Sequence, residues 1–219
     1  MAALLDLILP PACAGCGRAG ALLCGACLGA FAPPSRPEDR FVAPNAGIVV
    51  GDALILALAA FAHAGPMRRA LAALKYSGAS RLAPIIAREA APFLAPLRAI
   101  AGPAVLVPVP VHRERLRTRG YNQAELIAAA LSRTCAIHTA ALLERVRPTE
   151  KQHRLDRAAR LANLRGAFAA LSVARSRPPV TAILVDDIIT TTATLEACAS
   201  VLVEAGVRHV YGFAVAREV

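Results

Sequence analysis

Residues 183–195 read ILVDDIITTTATL, and their order decides the fold. A short apolar run ends in two adjacent acids, Asp186 and Asp187. A threonine cluster follows, with Thr190, Thr191, Thr192 and Thr194 surrounding Ala193, and residues 195–204 then have a helix-forming composition. This is a strand, a phosphate-sized loop and a helix start, in that order. Adjacent carboxylates can accept hydrogen bonds from ribose hydroxyls. A hydroxyl-rich loop that opens a helix can hold a phosphate through backbone N–H groups. The combination suits a sugar phosphate.

Outward from this stretch, strands and helices alternate. Strands are expected at 105–109, 182–185 and 209–215, and helices at 67–75, 82–97, 123–134 and 195–204. Alternation of this kind argues for an α/β fold, a parallel sheet with helices on both faces. Residues 48–65, IVVGDALILALAAFAHAG, stay open between strand and helix. A β-branched patch gives way to Leu and Ala, and Gly51-Asp52 can turn between two strands.

The second distinctive run is VPVPVHRERLRTRGYNQAELIAAAL at 107–131. A strand ends near Pro110. His112, Arg113, Arg115, Arg117 and Arg119 follow, and Gly120, Tyr121, Asn122 and Gln123 open a helix. Arginines and a helix start beside the C-terminal end of a strand make an anion site. Ligands of parallel α/β sheets bind at that edge. The strip and the acidic loop should therefore meet over one crevice, although a solvated basic face would look similar.

Residues 145–168, RVRPTEKQHRLDRAARLANLRGAF, are arginine-dense and without clear period. They read as a mobile functional loop, able to bring Arg145, Arg157, Arg160 and Arg165 over a pyrophosphate and exclude water. Lys75-Tyr76 closes the helix after Pro66. A lysine there is a favourable partner for the helix dipole, and composition assigns it no further role.

Cys13, Cys16, Cys24 and Cys27 form C-x2-C-x7-C-x2-C, while Cys135 and Cys198 stand alone. Each CxxC pair sets two thiolates on one tight turn, so the four suit a closed, structural Zn2+ site. The segment has too few residues for a core of its own, and metal would supply its folding energy. The expected division is a helix and four-cysteine ribbon at 1–32, a proline-rich linker at 33–45 and an α/β domain at 46–219.

The 219 residues carry a formal charge of +10, mostly from arginine. Basic chains favour phosphate-rich partners such as nucleotides, nucleic acid or anionic membrane, though a GC-rich genome also yields Arg- and Ala-rich composition. The most apolar stretch, 53–62, is far short of the roughly 20 residues of a membrane-spanning helix. The N-terminus lacks Lys or Arg ahead of its apolar part and makes a poor signal peptide. No membrane span and a cytoplasmic location are expected.

Together these motifs resemble the ComF family, also called the GntX type, of phosphoribosyltransferase-like proteins. The resemblance covers nearly the whole chain: the two CxxC pairs, LKYSG at 74–78, VPVPVHRERLRTRGYNQAEL at 107–126, the run at 145–168 and VDDIITTTATL at 185–195. It implies an N-terminal zinc ribbon joined to a type I phosphoribosyltransferase fold. Asp186 and Asp187 would bind the ribose of phosphoribosyl pyrophosphate (PRPP), and residues Thr190 to Thr194 its 5′-phosphate. His112, Arg113, Arg115, Arg119, Asn122 and Gln123, with Arg157 and Arg165 of the loop, would lie near a Mg2+-bridged pyrophosphate. The family is associated with natural competence and incoming single-stranded DNA, so a DNA-uptake helicase or other competence protein is an implied partner.

Two departures stand out. The family pattern is close to DDxxTTGxT, and Thr192 occupies its glycine position. If that position needs positive φ, a β-branched residue is unfavourable and the phosphate site is weakened; otherwise the loop tolerates it. Before Gly65, where an aromatic residue and an acid are expected, the chain has Ala62-His63-Ala64, which reads as a structural difference.

Three functions compete. One is PRPP binding in the service of DNA uptake or single-strand handling. Another is transfer of ribose 5-phosphate to a nitrogen base, although no residue is an obvious general base and no apolar-aromatic base pocket shows. The third is a PRPP-responsive adaptor without turnover. The scarcity of aromatics, with Tyr76, Tyr121 and Phe168 alone near the basic segments, counts against extensive base stacking.

Overall fold

The computed structural model describes residues 10–34, 52–77, 79–148, 164 and 166–218. Its elements run α1 (Gly25–Gly29), β1 (Leu54–Ala62), α2 (Gly65–Tyr76), α3 (Leu82–Ala101), β2 (Val105–Pro108), α4 (Arg113–Arg119), α5 (Gln123–Cys135), β3 (Leu143–Arg145), β4 (Phe168–Ala170), α6 (Ser172–Ser176), β5 (Thr181–Ile189), α7 (Ala193–Glu204) and β6 (His209–Arg217). Four strands form one sheet in the order β1-β6-β5-β2. All three pairings are parallel, with Leu184 of β5 opposite Gly212 of β6 and Val107 of β2.

Within the undecided segment, Leu54–Ala62 form a strand, β1, on the edge of the sheet. It sends Leu56, Leu58 and Ala60 into one apolar cluster and Leu54 and Ala57 into another. A strand buried on both faces has no polar alternation, so its sequence cannot be told from a buried helix.

Helices α2, α3 and α5 cover one face of the sheet, packing Leu71, Leu74, Ile86, Leu94 and Ile127 on Ile183, Val185 and Phe213. Helix α7 covers the other with Leu195, Cys198 and Leu202, assisted by Phe168 of the β3–β4 ladder. Close approach of α7 requires glycine at 212. A Cβ there would sit 2.8 Å from Leu195 Cδ1 and 3.0 Å from Ala57 Cβ.

Several elements outrun their sequence-based limits. Helix α3 continues through Pro92 and Pro96 to Ala101, and β5 extends past both acids to Ile189. The ends of the arginine-dense segment are ordered strand: Arg145 pairs with Phe168 in the antiparallel β3–β4 ladder. Residues 149–163 and 165, with Arg157 and Arg165 among them, lie outside the described residues, as does most of the expected linker.

The cysteine segment is docked on the sheet domain. Cys13, Leu23, Cys27 and Phe31 belong to the same apolar cluster as α2 and α3. The Phe31 and Phe61 rings lie 5.3 Å apart, Ala62 N–H donates to Ala32 O at 2.9 Å, and Arg69 Nε donates to Gly15 O. No helix of the described residues is long and apolar enough to cross a membrane.

Candidate functional site

Both acids lie at the C-terminal end of β5, where strand alternation turns them to opposite faces. Asp187 is 3% exposed and Lys75 Nζ stands 2.6 Å from its Oδ2. Burial opposes ionisation of Asp187, but Lys75, helped by contacts from Asp186 and Gln123, outweighs it and holds the carboxyl below the usual range. Asp186 Oδ1 accepts from the Asp187 N–H at 2.8 Å. Burial, reinforced by the charge of Asp187, pushes the Asp186 carboxyl well above the usual range. The two carboxyls are thus pushed in opposite directions, as neighbouring acids are when ionising one opposes ionising the other.

Lys75 is the residue the sequence reading missed. It ends α2, whose apolar residues Met67, Leu71 and Leu74 are buried against the sheet. That packing, rather than any local motif, carries the ammonium to Asp187.

The arginine strip is a short helix, α4, joined to α5 by a tight turn. Gly120 caps α4 with φ of 82°, a conformation glycine adopts without strain. Asn122 caps α5 by accepting from Ala124 N–H at 3.0 Å, and its Nδ2 donates to Val109 O at 3.0 Å. Val109 N–H in turn donates to Val185 O at 2.9 Å, just before the acid pair. Gln123 is buried within reach of Asp187 and accepts a hydrogen bond from Arg119 Nη1. Of the strip, Gln123 reaches the acid pair at Asp187, and Arg119 is joined to it through Gln123. No residue of α4 is buried. Arg113 is exposed and reaches Glu144 at 3.8 Å, and His112 accepts from Glu114 N–H at 3.4 Å, capping α4.

Residues 190–192 form the loop between β5 and α7. Thr190 is exposed, Thr191 and Thr194 are half-buried, and Thr192 and Ala193 are buried. Thr192 has φ of −70° and ψ of −5° and precedes the first turn of α7. That region is open to every residue, so the backbone here does not demand glycine. The first N–H groups of a helix lack partners within it, and α7 presents them at this loop.

His63 follows β1 at the same edge of the sheet, its N–H donating to Arg217 O at 2.7 Å. Burial and the charge of Lys75 hold its imidazole below the ordinary histidine value. A cavity of about 590 Å³ lies at the opposite edge, bordered by Arg98, Gly102, Ala136 and His138, away from these groups.

The four N-terminal cysteines converge as their spacing predicts. Their sulfurs all lie within 4.8 Å of one another, with Cys16 Sγ 3.7 Å from Cys24 Sγ. Tetrahedral coordination with metal–sulfur bonds of about 2.3 Å puts sulfurs about 3.8 Å apart, so the set fits one thiophilic ion. Burial opposes ionisation of Cys13, yet backbone hydrogen bonds from Cys24, Cys16 and Gly15 bring its thiol down to about 6. Burial and the neighbouring thiols push Cys27 up to about 12. These cysteines can hold a structural metal ion. Among the described residues they are the one cluster of metal-ligating side chains.

No family model matches the chain. It is 37% identical to Competence protein F of Haemophilus influenzae over 117 residues, which is 52% of this chain and about half, 51%, of that protein. It is 30% identical to DNA utilization protein YhgH of Escherichia coli O157:H7 over 210 residues, 94% of this chain and 82% of that protein. Against the protein of that name from Escherichia coli K12, identity is 32% over 149 residues, 66% of this chain and 64% of that protein. The matched length, the cysteine cluster and the parallel α/β sheet agree, and the chain belongs to the ComF-type family.

Proposed function

We propose that this chain binds PRPP at the C-terminal edge of β5 and acts in DNA uptake or the handling of single-stranded DNA. The carrying observation is the adjacent acid pair at that edge, Asp187 buried and ion-paired to Lys75 at 2.6 Å, with Asp186 Oδ1 accepting from the Asp187 N–H. Ribose hydroxyls are donors that the two adjacent carboxyls can accept from. The Thr190–Thr194 loop and the first turn of α7 take the 5′-phosphate. His112, Arg113, Arg115, Arg119, Asn122 and Gln123 serve the pyrophosphate, with Arg157 and Arg165 as further cations. Mg2+ enters as the counterion of PRPP. The four cysteines hold Zn2+ in a structural role.

The DNA role rests on the names of the relatives, Competence protein F and DNA utilization protein YhgH, and on the +10 charge, which favours phosphate-rich partners. We place the chain in the cytoplasm, beside the helicase or other competence protein that handles the entering strand. One observation favours turnover as well: His63 follows β1 at the same edge of the sheet, its imidazole held below the ordinary histidine value by burial and by Lys75. It could accept a proton from an acceptor nitrogen as pyrophosphate leaves.

The test is calorimetric titration of the zinc-loaded protein with PRPP and Mg2+, beside the chain carrying Asp186→Asn and Asp187→Asn. The double variant should lose PRPP binding with its zinc content unchanged. Retained affinity in that variant would sink the site assignment.

A further inference from the structure

We propose that the open face of Tyr76 is a stacking seat for a nucleobase, backed by Arg119, which is joined through Gln123 to Asp187. Tyr76 ends α2 and is 81% exposed. An isolated exposed aromatic would mean little. This one is placed by a cation on one face and by the packed helix end that carries it. Arg119 Cζ stands 5.7 Å from the ring centroid, over one face of the ring. The same guanidinium bonds Gln123, which reaches Asp187. Lys75, the preceding residue, forms the ion pair with Asp187, and Tyr121 Oη donates to Leu74 O at 2.6 Å. The ring is therefore backed by a cation that is joined through Gln123 to Asp187.

A planar, π-rich group suits the exposed ring, and a guanidinium on the reverse face strengthens stacking. A purine or pyrimidine carries the sugar and phosphate that Lys75, Arg119 and the α4 arginines can meet. The ligand class is thus a nucleobase, arriving in a mononucleotide or in a single strand. The placing of its ribose rests on the PRPP reading; the stacking does not.

The chain contains no tryptophan, so Tyr76→Trp provides a single reporter in the full metal-loaded protein. The probes are AMP, a short oligodeoxythymidylate and an abasic strand of equal length. The proposal predicts saturable quenching of the Tyr76→Trp fluorescence by a base-bearing probe and none by the abasic strand. Quenching by AMP identifies the mononucleotide as sufficient, and quenching by the oligonucleotide alone identifies the strand. Tyr76→Ala should weaken binding of the effective probe about 5- to 150-fold, the range for loss of one base–aromatic stack, while Tyr76→Phe keeps it. Unquenched fluorescence with every probe, or equal affinity in Tyr76→Ala and the native chain, would overturn the proposal. PRPP calorimetry on Tyr76→Ala separates the two readings. Absence of PRPP binding in every variant would remove the sugar-phosphate site and leave the stacking result standing.

Discussion

Lys75 Nζ lies 2.6 Å from Asp187 Oδ2, joining the end of α2 to the end of β5 at the edge of the sheet where the strip and the acidic loop converge. The side chains are 20% and 5% exposed, so the charges are held largely out of water. Removing one partner leaves the other buried and uncompensated. Lys75→Met should destabilise the fold by about 3 kcal/mol, and Asp187→Asn by a similar amount. Urea denaturation measures both. Two variants as stable as the native chain would show the pair to be unimportant for folding.

Asp186 should behave in the opposite sense. Its carboxyl is pushed up by burial and by Asp187, so the native state prefers it protonated. The penalty for ionising it is absent below the ordinary carboxylate range and grows as pH rises from that range towards the folded pKa. Asp186→Asn removes that penalty. The variant should gain stability relative to the native chain as pH is raised from about 4 to 8. Asp187, pulled down mainly by Lys75 against its burial, stabilises above the ordinary range, and this contribution is lost as pH falls through its folded value. Denaturation midpoints across that interval check the first sign and midpoints below about pH 4 the second; a gain for Asp186→Asn at low pH only would contradict the first.

Gly212→Ala tests the packing that sets the height of α7 above the sheet. The added Cβ meets Leu195 Cδ1 at 2.8 Å and Ala57 Cβ at 3.0 Å. Overpacking of this kind costs about 1–3 kcal/mol. Thermal denaturation should show the loss, and Leu195→Ala in the same chain should recover part of it. No loss in Gly212→Ala would mean that α7 can shift freely.

Cys13→Ser, or chelation of the metal, should open the cysteine segment first. Hydrogen exchange should accelerate across residues 13–31 while β5 and β6 keep their protection. Because Phe31 packs on Phe61 and Arg69 holds Gly15 O, the melting temperature should also fall. Simultaneous loss of protection in β5 and β6 would show that the sheet cannot stand without the metal.

Much of this was legible before the structure. The Asp186–Asp187 pair, the loop behind it, the CxxC spacing and the turn at Gly120–Gln123 are local signals carried by adjacent residues. Lys75 was illegible because nothing local distinguishes it from a lysine at any helix end; its partner is chosen by the packing of α2. The same holds for Tyr76, whose significance comes from Arg119 on another helix. β1 was ambiguous because burial on both faces erases alternation. At Thr192 sequence logic foresaw two outcomes, and a φ of −70° supports the tolerant one for the backbone.

The central claim is tested most directly by calorimetric titration of the zinc-loaded native chain with PRPP and Mg2+, beside a Thr192→Gly variant. The account predicts micromolar binding by the native chain and little gain from glycine, because the loop already holds a backbone open to threonine. Binding by the glycine variant alone would contradict it and mark the phosphate site of this chain as lost.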